Sequence, residues 1–211
     1  MAAVEEAASF VASSPRHLVL LGVDPDRPET EYGWIEIGER IEQGQGQHSP
    51  FHSLAESALA QGDSIEDSRR NQLYRVKSFC EKPRPKIAKA LYQSGCLWNT
   101  LVLTGTVRML LFLFQTLTPR LCLRFQQAQP FLEGRGKADV LDEIYRRLHS
   151  VNFSEAILAQ SSRCLSVLRV TGIYWSDWGH PEQVSQDVTR FTPAGLHKIS
   201  LSTGLPLVIP D

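Results

Sequence analysis

The chain has 211 residues, with 22 Lys and Arg against 23 Asp and Glu for a formal net charge of -1, and 42% hydrophobic against 21% charged residues. These values belong to an ordinary globular protein able to bury a substantial core. They exclude a dedicated nucleic-acid binder, which carries a surplus of Lys and Arg on one face. They also exclude a membrane span, because the longest strongly apolar run, Met109 to Phe114, falls far short of the roughly 20 residues a spanning helix needs.

Glu5 and Glu6 followed by Ala7, Ala8, Phe10 and Val11 predict a first helix, stopped by Ser13, Ser14 and Pro15. Its acidic start is unlike a signal peptide. His17 to Val23 is an unbroken apolar run, the pattern of a strand buried on both faces in a parallel sheet, so an α/β protein is expected. DPDRPET reads as a loop, and YGWIEIGERI as a half-solvated strand that alternates Trp34 and Glu36 against Ile35 and Ile37. Residues 43–71 form an irregular excursion rich in Gly, Gln, Ser and Asp.

Further along, the pattern predicts a strand over Leu73 to Cys80, a helix over Lys86 to Ser94 stopped at Gly95, and a short strand over Thr100 to Leu103. Helices follow over Val107 to Leu117, Pro119 to Gln127 and Ala138 to Leu148. A strand over Cys164 to Val170 and a helix over Pro181 to Arg190 precede a patternless tail, residues 191–211. Cys80, Cys96, Cys122 and Cys164 are scattered singly and read as small buried hydrophobes of a reducing cytoplasm.

Three segments at predicted strand ends carry more chemistry than packing requires: Glu81-Lys82-Pro83, Trp98-Asn99, and Trp175 to Gly179. Glu81 can accept from sugar hydroxyls and Lys82 can neutralise a phosphate, provided a bend at Pro83 turns both to one ligand. A surface ion pair at a turn is the plainer alternative. Asn99 suits hydroxyl recognition and also suits a turn. Asp177, between Trp175 and Trp178, is either an oxygen ligand for Mg²⁺ held by aromatic packing or the N-cap of the helix that follows. His48 with His52, Gly44-Gln45-Gly46, and Gly134 to Lys137 lack the context of a metal or phosphate site.

Read in order, LLGVDPDRPETEYGWIEIG, FCEKP, SGCLWNT, VNFSEAIL and GIYWSDWGHPEQV resemble the sugar-phosphate nucleotidyltransferases, most of all the mannose-1-phosphate guanylyltransferases. The resemblance implies a Rossmann-like nucleotide-diphospho-sugar transferase fold, a mixed but mostly parallel sheet flanked by helices. It also implies a cytoplasmic enzyme that joins a sugar 1-phosphate to a nucleoside triphosphate, GTP favoured, with Mg²⁺ and release of pyrophosphate. By the same resemblance Tyr32 and Gly33 approach the sugar, Glu81 binds its hydroxyls, Lys82 its phosphate and Asn99 the hexose. Trp98 is a packing wall, and Asp177 holds the metal. Lys82 and Asp177 are the catalytic pair.

The family's glycine-rich opening GGxGxRLxPL is not in this sequence. Residues 1–190 are therefore expected to be the later portion of a catalytic domain, with roughly 100 residues of βαβ steps missing upstream and little activity alone. A non-catalytic sugar-phosphate-binding module that needs a partner chain, a second copy or a completing subunit, is the alternative. Either way HLVLLGV or a neighbour would be left as an apolar sheet edge.

Overall fold

The computed structural model describes residues 2–41, 72–131, 137–179 and 181–191. It divides into two compact units, Met1–Trp175 and Ser176–Asp211. The excursion 43–71, with His48, His52 and Gly44 to Gly46, lies outside the described residues, as do Gly134 to Gly136 and the tail beyond Phe191.

In the first unit α1 (Ala2–Ser13) precedes β1 (Leu18–Val23), and β2 (Gly33–Arg40) precedes β3 (Gln72–Glu81). α2 (Pro85–Gln93) begins with its proline in the first turn and ends at Gly95, whose φ of 72° suits only glycine comfortably. β4 (Leu97–Thr104) is followed by α3 (Val107–Leu117), α4 (Pro119–Ala128) and α5 (Lys137–Arg147), and β5 (Leu165–Val170) closes the sheet. Among the described residues no helix is long and apolar enough to cross a membrane.

The strands form a closed barrel in the order β1-β4-β2-β3-β5. The expected mostly parallel sheet is overturned, because only β1 and β5 run parallel and the other four ladders are antiparallel. β1 is buried along its whole length, as its sequence suggests. Its two faces are covered by different partners. Leu18 and Leu20 join a core with Met109, Leu113, Ile157 and Leu158, while Val19 and Leu21 pack with Ala7 and Val11 of α1. An unbroken apolar run therefore reports two covered faces and not strand direction. β1 is also no sheet edge, since β4 and β5 flank it.

Three other expectations are corrected. β2 does not alternate between core and solvent: Trp34 and Ile35 are both fully buried, Trp34 against Trp98 and Ile35 in the main core. β4 begins three residues earlier than expected, so Trp98 and Asn99 lie in the first part of a strand. Of the cysteines only Cys96 is buried; the other three are half-buried, and all four are free. The VNFSEAIL segment, given no element from its sequence, contains a wide helical turn over Ser154–Leu158, closed by Ala159 N donating to Ser154 O at 2.8 Å.

The second unit contains α6 (Pro181–Phe191). Its buried Asp187 accepts from Trp178 Nε1 at 2.9 Å and from Gln183 Nε2 at 3.0 Å.

Candidate functional site

Strand register brings four chain segments to one junction. Val23, the last residue of β1, pairs with Trp98 near the start of β4, and Trp98 pairs in turn with Trp34 of β2. Gly33, which opens β2, faces Glu81, which ends β3, and Gly22 faces Asn99. Residues distant in sequence thus become neighbours because the antiparallel ladders begin and end together.

Gly33 decides the geometry of the junction. A Cβ placed there would stand 2.8 Å from Glu81 Oε2, 2.9 Å from Phe79 Cζ and 3.4 Å from Asn99 Cβ. The missing side chain is what admits the Glu81 carboxylate beside Asn99. Burial pushes the Glu81 carboxyl above its ordinary range. The Ser154 hydroxyl and the Lys82 charge pull it back, while Glu155 pushes it up again. A half-buried carboxylate with few internal donors has acceptor capacity to offer to hydroxyl groups of a ligand.

Asn99 is 6% exposed. Its Oδ1 accepts from Leu101 N at 3.2 Å, supporting a bulged stretch of β4 in which Leu101 takes a φ of 59°. Its Nδ2 makes no hydrogen bond among the described residues. The turn-forming and the ligand-binding readings of Asn99 are therefore compatible, one through each side-chain atom.

Lys82 takes a φ of 43°, unusual for a residue with a side chain, and its backbone N donates to Tyr32 O at 3.2 Å. This bend ends the strand before Pro83 and frees the Lys82 side chain from the alternation of β3. The ammonium lies 3.2 Å from Glu31, with the Lys82 side chain 53% exposed. It is the surface ion pair anticipated at a turn, although its acid is Glu31 and not the adjacent Glu81. Exposed pairs of this kind hold by about 0.2–1 kcal/mol, so an incoming phosphate can compete with Glu31.

An aromatic wall backs the junction. Tyr32 meets Trp98 and Trp175 edge-to-face with ring centroids 5.0 and 5.1 Å away, and Trp34 meets Trp98 at 6.1 Å. The DPDRPET loop is fastened over it. Trp34 Nε1 donates to Glu29 O at 2.8 Å, and the Arg27 guanidinium lies 5.2 Å from the Trp98 ring while pairing with Asp26 and Glu29. Buried Trp98 serves as a packing residue, and its Nε1 finds no partner among the described residues.

The first unit thus brings together Tyr32, Gly33, Glu81 and Asn99, with Lys82 at the bend. Asp177 belongs to the second unit, where it is exposed and its carboxylate lies against Gly179. The aromatic packing expected on its Trp178 side is not formed, since that ring is 68% exposed and its indole serves Asp187. Among the described residues no three His, Cys, Asp or Glu side chains cluster for a metal. One exposed carboxylate fits a Mg²⁺ carried largely by water and substrate phosphates, and not a protein-built cage. Sequence reasoning assigned no role to Ser154 or Arg27. Ser154 was within reach, because it lies in a segment that carries the family resemblance.

No family model and no curated protein matches the chain. Solved structures do. Mannose-1-phosphate geranyltransferase from Thermus thermophilus superposes with a TM-score of 0.52 at 23% identity, over 80% of this chain and 40% of that one. Mannose-6-phosphate isomerase from Helicobacter pylori gives a TM-score of 0.58 at 21% identity, over 83% and 57%. The likeness is one of fold. The chain spans about half the length of these proteins, both named for mannose phosphates, and shares their fold over that part.

Proposed function

We propose that this chain carries the sugar-phosphate half of a nucleotidyltransferase, of the kind that forms GDP-mannose and pyrophosphate from mannose 1-phosphate and GTP. The observation that supports it most is the placement of both Glu81 and Asn99 against Gly33 at one strand junction. In this reading Glu81 accepts from hexose hydroxyls, Asn99 Nδ2 donates to the ring, and Tyr32 and Gly33 let the sugar approach the backbone. Lys82 exchanges Glu31 for the sugar phosphate. Mg²⁺ would supply charge neutralisation between the two anions, with Asp177 of the second unit as the carboxylate that the resemblance assigns to it. No residue of this sequence is assigned to the nucleotide, and both fold relatives are considerably longer, so a partner chain or further segment would provide that half.

Calorimetric titration of the chain with mannose 1-phosphate, and then with GTP and Mg²⁺, tests this reading. Saturable binding of the sugar phosphate, weakened about tenfold or more in Glu81→Gln, is expected from loss of a charge-assisted hydrogen bond. No binding, or equal binding by Glu81→Gln, would overturn it. Turnover of mannose 1-phosphate and GTP to GDP-mannose by this chain alone would overturn the assignment of the nucleotide half to a partner or further segment.

A further inference from the structure

Thr118 is at once the residue that ends α3 and the residue that opens α4. Its hydroxyl donates backward to Phe114 O at 2.9 Å, and no side chain caps α4. The positive end of α4 is left uncompensated. It borders a cleft of ≈ 490 Å³ whose lining includes apolar Leu117, Leu121 and Leu148 together with Arg120, Arg124 and Arg147.

Arg120 and Arg124 sit one turn apart on α4, a like-charge spacing that opposes helix stability. Among the described residues neither makes an ion pair and no carboxylate lines the cleft. Arg147, at the end of α5, approaches Glu143 at 2.5 Å, but Glu143 also serves Arg146. His149 adds a further basic group. A concave, single-sign surface with a leucine lining concentrates positive potential and offers an apolar body a place to rest.

We propose that this cleft is a binding site for a small organic phosphate, separate from the junction around Glu81. The phosphate lies among the Arg120, Arg124 and Arg147 guanidinium groups at the start of α4, where the planar fork matches its oxygens. The organic body lies on Leu117, Leu121 and Leu148. Nothing in this assignment depends on the sugar-phosphate reading, because the two sites share no residue.

Fluorescence-polarisation titration of the whole chain with 4-methylumbelliferyl phosphate tests it. Saturable binding is expected, weakened about tenfold or more in Arg120→Gln/Arg124→Gln, since charge-assisted bonds to the phosphate are lost. Both side chains are exposed, so near-UV circular dichroism should match the wild type; Arg147→Gln gives an independent variant should it not. Lys86→Gln/Lys89→Gln removes the same charge from exposed positions of α2 and should leave affinity unchanged. Absence of saturable binding, equal binding of phosphate-free 4-methylumbelliferone, or an equal loss in the α2 variant would overturn the site. Loss in Lys82→Gln with none in the arginine variants would place the phosphate at the junction and overturn it as well.

Discussion

Gly33 and Glu81 are cross-strand partners, and the carboxylate of one occupies space that any side chain on the other would take. Gly33→Ala forces a methyl to within 2.8 Å of Glu81 Oε2 and 2.9 Å of the Phe79 ring. Overpacking of this kind costs about 1–3 kcal/mol. Urea denaturation should show that loss with the slope unchanged, while affinity for mannose 1-phosphate falls further than stability does. Retained affinity in a destabilised variant would separate Gly33 from ligand approach.

Glu81→Gln should have opposite effects on stability and on binding. The folded-state carboxyl is raised chiefly by burial, so between the ordinary carboxylate range and the raised value the native protein holds the additional proton. That contribution to stability is present at acid pH and is lost as pH rises through the raised value. Removal of the charge abolishes this loss. The stability of Glu81→Gln relative to wild type should therefore improve from acid to neutral pH, in thermal melts across a pH series, while sugar-phosphate affinity drops. A constant difference across pH would mean that the carboxyl titrates as in the unfolded chain.

Ser154→Ala removes a hydroxyl that favours the ionised form of Glu81. The Glu81 pKa should rise further. Because the carboxylate is the form that accepts from hydroxyls, binding of mannose 1-phosphate should fail at a higher pH on acidification than in wild type, with little change at alkaline pH. An unshifted binding profile would show that Ser154 only packs.

Much of this architecture is legible in the sequence, and the unread part has physical causes. α1, α3 and β1 announce themselves because their apolar residues keep one period over several turns or one unbroken run. β4 conceals its first residues because Asn99 resembles a turn residue, and it is one locally, through its bond to Leu101 N. Strand direction is not legible, since covered faces yield the same run of Leu and Val in either sense. The Gly33–Glu81 contact depends on register, where a slip of one residue would send Glu81 to the opposite face. The wide turn over Ser154–Leu158 is concealed for another reason: it buries Ser154, Ile157 and Leu158 outside the ordinary helical period.

Trp34 links the core to the loop above it, through a buried ring and one indole bond to Glu29 O. Trp34→Phe keeps most of the ring and loses the bond, leaving the Glu29 carbonyl to find water. A destabilisation of about 1–3 kcal/mol is expected from the lost hydrogen bond and the smaller ring. Amide exchange should quicken in residues 27–31, with β1 unaffected. Unchanged exchange there would show that Arg27 and its acids hold the loop without the indole.

Three of the four tryptophans, Trp34, Trp98 and Trp175, stand in the same aromatic wall as Tyr32, and the fourth, Trp178, belongs to the second unit. Indole emission from this chain therefore originates mostly beside Gly33 and Glu81. The protein carries an intrinsic optical reporter of that neighbourhood, so a change in its spectrum on adding a solute can be read without a label.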